Sequence, residues 1–151
     1  MIPLFTTNAL DDVPLPLYTS SQNKREWLHV IDHCRAIDLV LDKGTVGETY
    51  NVGSGVEQTV EQLADAILGA LGKPASLKSV VPDRPSHDRR YLLDSSKLRR
   101  ELGWAPTVEF ADGLPETVAW YAANRDWWEP LKGRAPVAES TAWAGAPART
   151  G

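Results

Sequence analysis

The densest chemistry in the chain lies in residues 82–91, PDRPSHDRRY, where Arg84, Arg89, Arg90 and His87 stand among Asp83 and Asp88. Two prolines in the first four residues exclude a regular helix, and the charge excludes a buried strand. Two readings fit such a turn. It can gather an anion through planar, multi-donor guanidinium groups, or it can be a solvated turn laced with weak ion pairs.

Other candidate chemistries fail on their spacing. NVGSGVEQ, residues 51–58, invites a dinucleotide-loop reading, but Gln58 stands where the third glycine of G-x-G-x-x-G is required. Gly53 and Gly55 are better read as a tight turn between a strand and a helix. A tyrosine-lysine pair four residues apart would signal carbonyl or alcohol redox chemistry. The residues four beyond Tyr18, Tyr50, Tyr91 and Tyr121 are Gln22, Ser54, Ser95 and Arg125. His29, His33 and His87 do not pair at metal-ligand spacing, so no metal site is expected. Cys34 falls on the apolar face of a predicted helix, where a small buried thiol is the expected outcome. No complete catalytic constellation can be assembled, and no catalytic residue is assigned.

The elements that must position this chemistry fit one domain. The chain has 151 residues, 42% of them hydrophobic, and a net charge of −4. That acidity argues against nucleic acid and anionic membranes as partners, and it makes a local basic cluster the necessary seat of any bound anion. A single cysteine excludes an internal disulfide. The opening residues, MIPLFTTNALDDV, lack the basic and apolar run of a signal peptide, and no apolar run suits a membrane span, so a cytoplasmic protein is expected.

Patterning predicts alternating strands and helices. Residues 2–13 read as a helix ended by Pro14, LPLY at 15–18 as a strand, and REWLHV at 25–30 as another. Val30, Cys34, Ile37 and Leu41 recur at helical spacing up to Gly44, and ETYNVG at 48–53 reads as a strand. The helix at 60–71 is the clearest: Thr59 and Gln62 form a capping box, an unbroken apolar face follows, and Gly72 and Pro74 stop it. LKSVV at 77–81 and YLLD at 91–94 read as strands, KLRREL as a short helix, and residues 112–124 as the last helix, with Trp104 and Trp120 in the core. From residue 132 onward small residues and prolines predict a disordered tail, leaving 1–131 as the folded lobe.

Taken in order, IPLFTTNAL, PLPLY, REWLHVIDHCRAI, GETYNVGSG, DRPSHDRRYLLD, KLRRELGWAP and FADGLPETVAWY resemble the C-terminal part of the dTDP-glucose 4,6-dehydratases, extended short-chain dehydrogenase/reductases acting on nucleotide sugars. RPSHDRRY, similar to that family's R-P-G-H-D-x-R-Y, is the most specific match. The resemblance implies an α/β fold, a small mixed α/β substrate-binding lobe of an NAD(P)-binding Rossmann-fold superfamily member, with the N-terminal Rossmann half missing. It implies NAD as cofactor of the full-length enzymes but none bound by this chain alone, and a possible missing Rossmann half as partner. The resemblance also implies that the full-length enzymes are homodimers.

Carried over by motif, the resemblance places the nucleotide on Pro16, Leu17, Tyr18, Arg25, Arg84 and His87. Arginines would meet the diphosphate, and Tyr18 would form part of the wall for the base. Of the other two arginines, one would face solvent or brace Asp94. The chain departs from the pattern at Thr19–Ser21, where G-D-G is usual, at Glu26 for aspartate, at Val60 for asparagine and at Ser86 for glycine. These leave a nucleotide sugar as the implied ligand and strict dTDP-glucose specificity open. Open alternatives are a lobe of a UDP-glucuronate decarboxylase or epimerase, or a non-catalytic binding module.

Overall fold

A computed structural model describes residues 1–83 and 88–132. Helix α1, Ile2–Leu10, starts with Pro3 in its first turn, where a missing amide costs nothing, and packs Phe5 and Ala9 inward. Strand β1, Leu15–Tyr18, pairs in parallel with β4, Lys78–Val81, from Leu15 opposite Lys78 to Tyr18 opposite Val81. Pro16 is tolerated there because among the described residues the sheet has only these two strands, so one side of β1 needs no ladder donor.

A second two-stranded sheet joins β2, Lys24–Glu26, antiparallel to β3, Glu57–Thr59. Between them α2, Val30–Lys43, and an extended run carry the chain away and back. Helix α3, Val60–Leu71, follows β3 without a gap. Its capping box forms as expected, with the Gln62 amide donating to Thr59 Oγ1 at 3.0 Å and the Thr59 amide to Gln62 Oε1 at 2.8 Å. Gly72 ends it in the left-handed conformation, φ 64°, that glycine adopts without penalty.

Helices α4, Ser96–Leu102, α5, Phe110–Ala123, and α6, Arg125–Lys132, complete the chain. The main core joins α1, β1, α3 and α5 through Phe5, Leu15, Leu63, Ile67, Leu114 and Val118. A second cluster joins α2 to α4 around Ala36, Leu98 and Trp104.

Several expectations are corrected. Among the described residues, the run ETYNVG at 48–53 and the run YLLD at 91–94 form no strands, because neither pairs in a ladder, and the one isolated bridge, Lys24 to Arg90, falls just before the second run. The strand expected at 25–30 stops at Glu26. Helix α2 forms where predicted, yet it buries Asp32 and Ala36 and turns its apolar spacing outward, with Val30 62% and Leu41 82% exposed. Cys34 shares that outward face and is exposed, not buried. Trp120 is 43% exposed, so it belongs to an aromatic surface cluster with Tyr121 and Trp127 and not to the core. Helix α6 was not expected. It is held by Trp128, whose indole donates to the Tyr121 carbonyl at 2.7 Å, and by Lys132, which donates to Asp11 at 2.7 Å. From residue 133 the expected tail lies outside the described residues. No helix among the described residues is long and apolar enough to cross a membrane.

Candidate functional site

Strands β1 and β4 end side by side, and the loops that leave them carry the charged residues. The Thr19 amide extends the ladder to the Val81 carbonyl at 3.1 Å, after which Ser20 donates its amide and hydroxyl to Asp83 at 3.0 and 2.6 Å. This latch is what Thr19–Ser21 builds in place of a glycine-rich turn. The burial of β1 alternates as a two-residue period demands: Leu15 and Leu17 enter the core, while Pro16 and Tyr18 are half-buried on the other face. Of the three β1 residues assigned to the site, Leu17 therefore has only its backbone to offer a ligand.

Arg25, in β2, is fixed by two carbonyl acceptors and a ring. Its Nη1 donates to the Lys24 carbonyl at 2.7 Å and its Nη2 to the Asp88 carbonyl at 2.8 Å. The guanidinium lies over the Tyr91 ring, 4.8 Å from its centroid, and the Tyr91 hydroxyl donates to the Asp88 carboxylate. Arg35, Arg90, Arg100 and Arg125 each meet a carboxylate. Among the described residues Arg25 meets none, so its orientation is set while its charge is left uncompensated.

Arg90 is otherwise engaged. It pairs two-pronged with Glu57 of β3, Nε to Oε1 at 2.6 Å and Nη2 to Oε2 at 2.7 Å, and does not brace Asp94. The Glu57 carboxyl is held below its usual range, first by the hydrogen bond from Arg90. Asp94 instead caps α4, accepting from the Ser96 amide at 2.9 Å. Arg84 and His87 lie outside the described residues.

The glycine-rich turn does not fit a dinucleotide. Gly55 has φ 85° and makes the turn, but β3 intervenes before α3. The first amides of α3 are already taken: Val60 donates to the Asn23 carbonyl at 3.2 Å, Glu61 to the Ser21 carbonyl at 3.1 Å, and Gln62 to Thr59. A pyrophosphate has no donors left to meet there. Val60, where the resemblance implied an asparagine, is 2% exposed and packs in the core.

A cleft of about 380 Å³ opens elsewhere, between Ile2, Trp27, His29, Val108, Phe110 and Tyr121. None of the described residues assigned to the site, Pro16, Leu17, Tyr18 and Arg25, lines it. Among the described residues no group of three or more histidine, cysteine or acidic side chains is gathered for a metal.

The family model for GDP-mannose 4,6 dehydratase matches residues 1–117. The chain belongs to that family. It is 56% identical over 132 residues to a dTDP-glucose 4,6-dehydratase of Streptomyces niveus, a match covering 87% of this chain and 39% of the relative. Among solved structures it resembles the dTDP-glucose 4,6-dehydratase DesIV of Streptomyces venezuelae, solved with NAD bound, with a TM-score of 0.84 and 54% identity over 86% of this chain and 40% of that one. The Bordetella bronchiseptica enzyme WbmF, in complex with NAD+ and UDP, is similar at TM-score 0.75 and 30% identity, over 96% of this chain and 41% of that one. The chain thus spans about two fifths of the length of the relatives it matches. It is a part of an extended short-chain dehydrogenase/reductase, with the mixed α/β fold that the resemblance implied.

Sequence reasoning named Arg25 through the family motif. It did not name Tyr91 and Asp88 as the groups that contact it, although both stand in the stretch that drew attention first.

Proposed function

We propose that this chain is the sugar-nucleotide-binding lobe of a dTDP-glucose 4,6-dehydratase-like enzyme, and that Arg25 receives the diphosphate. The observation that carries the reading is the state of Arg25: a guanidinium pinned by two carbonyls and a tyrosine ring, with no carboxylate against it among the described residues. Two adjacent phosphates suit a planar, multi-donor cation whose charge is not already neutralised. Arg84 and His87, from the stretch most similar to the dehydratases, complete the cation set, and Pro16, Leu17 and Tyr18 supply the wall for the base. The relatives solved with UDP or UDP-glucose support a nucleotide diphosphate as the class of ligand.

The whole enzyme's reaction would be a dehydration of a nucleotide sugar with NAD, which full-length relatives hold, and this chain spans about two fifths of their length. The partner we assign is a Rossmann half. The outward apolar face of α2, with Val30, Ile31, Ile37 and Leu41 exposed, is a surface of the kind such a half would cover. A cytoplasmic location accords with the exposed, unpaired Cys34.

Titration calorimetry with dTDP tests the reading. The chain binds dTDP, Arg25→Ala weakens binding by on the order of 1.5–3 kcal/mol, and the loss is larger for dTDP than for thymidine, which has no phosphates. Equal affinity of wild type and Arg25→Ala for dTDP would overturn it. The purified chain with NAD should form no 4-keto-6-deoxy sugar from dTDP-glucose.

A further inference from the structure

Arg25 and Glu26 are successive residues of β2, yet their side chains reach the same segment, residues 88–93. Arg25 contacts its start, at the Asp88 carbonyl and the Tyr91 ring. Glu26 contacts its end, with Oε2 accepting from the Leu93 amide at 3.0 Å, while Oε1 accepts from the Gly55 amide at 2.6 Å. One carboxylate thus ties the 53–55 turn and the 88–93 segment to β2.

The arrangement is not one that strand pairing favours. Glu26 stands directly opposite Glu57 in the β2–β3 ladder, and like charges so placed repel. Each carboxylate is satisfied from outside the ladder, Glu57 by Arg90 and Glu26 by two backbone amides. Both bring in residues of the same segment. Room for Glu26 is made by Gly53: a Cβ there would lie 2.6 Å from Oε1 and 2.9 Å from Oε2.

Resting on the reading of Arg25 above, we propose that Glu26 is a positioning residue for the diphosphate site. By fixing the Leu93 amide it holds the Asp88 carbonyl and the Tyr91 ring where they aim the Arg25 guanidinium. The role calls for a carboxylate, because two amides must both find an acceptor. A glutamine has one acceptor oxygen and would turn an NH2 group toward the other donor.

The test is a double-mutant cycle on the full chain, read by calorimetric titration with dTDP and by melting temperature: wild type, Glu26→Gln, Arg25→Ala and both together. Glu26→Gln should weaken dTDP binding by about tenfold, the order of one charge-assisted contact, and should weaken it no further in the Arg25→Ala background. A general loss of structure would instead add to the Arg25→Ala loss. Unchanged dTDP affinity in Glu26→Gln beside a weakened Arg25→Ala, or additive losses, would overturn the positioning role and leave the reading of Arg25 standing. Should wild type bind no dTDP, or Arg25→Ala bind as wild type does, the reading of Arg25 fails and the positioning role falls with it. If Glu26→Gln does not fold, Glu26→Asp, which keeps the charge on a stem one carbon shorter, takes its place in the cycle with the same coupling expected.

Discussion

Asp32, wholly buried in α2, accepts twice from Thr107: its Oδ2 from the Thr107 amide at 2.9 Å and its Oδ1 from the Thr107 hydroxyl at 2.8 Å. The Val108 amide adds a third bond at 2.9 Å and Arg35 a fourth at 3.0 Å, while the Trp104 indole donates to the Asp32 carbonyl at 3.2 Å. This one side chain joins α2 to the segment between α4 and α5. Burial pushes its carboxyl up, and the bonds from Val108 and Thr107 outweigh that and hold it below the usual carboxylate range.

The sign of the pH effect follows. Because the folded-state pKa is depressed, the stability from Asp32 is complete above the unfolded value near pH 4 and is lost as pH falls through the folded value. Wild type should lose melting temperature on acidification below about pH 4, and Asp32→Asn should start lower at neutral pH and fall less steeply. Thermal melts across pH 2–7 measure both.

Asp32→Ala removes the acceptor and leaves the Thr107 and Val108 amides unpaired. A cost on the order of 3 kcal/mol is expected, read by urea unfolding at pH 7.

What was legible in the sequence was local. The capping box at Thr59 and Gln62, the strand at 15–18 and the stop at Gly72 depend on residues a few positions apart, and all are found. What was not legible depends on partners. ETYNVG and YLLD have strand composition, but a strand exists only where a second one lies alongside. The apolar spacing of α2 foretold the helix, and it could not say that Val30, Ile37 and Leu41 stand exposed among the described residues. Arg25 could be named from a motif, whereas Glu26 as its frame appears only once residues 53–55 and 88–93 converge.

The α2 face yields its own prediction. With Ile37 47% and Leu41 82% exposed, the isolated chain should self-associate without fixed stoichiometry. Ile37→Glu combined with Leu41→Glu should shift sedimentation toward monomer and leave the melting temperature within a few degrees, since neither residue supports the core. A monodisperse wild-type monomer at high concentration would count against it.

Arg25→Lys should lose most of what Arg25→Ala loses. An ammonium is a point donor and cannot contact the Lys24 and Asp88 carbonyls and a phosphate with the same planar fork. Calorimetry with dTDP that found the lysine variant equal to wild type would mean that charge alone is being used.

Arg90, one of the two arginines expected to face solvent or brace Asp94, pairs with Glu57 instead. The pair is solvent-exposed on the arginine side, so its direct effect on global stability is small and falls with salt. Its geometric effect is larger, because the Lys24 amide donates to the Arg89 carbonyl at 2.9 Å, and the Arg90–Glu57 clamp next to that bond keeps the segment against β2. Arg90→Ala should therefore speed hydrogen exchange at the Lys24 and Leu93 amides by about tenfold or more while the α3 amides exchange as in wild type, since local opening needs far less free energy than global unfolding. Glu57→Gln should do the same, and the two together no more than either alone, because each removes one clamp. Exchange unchanged at Lys24 in Arg90→Ala would show that the backbone bond and Glu26 suffice to hold the segment, and Arg90 would then be a surface charge and nothing more.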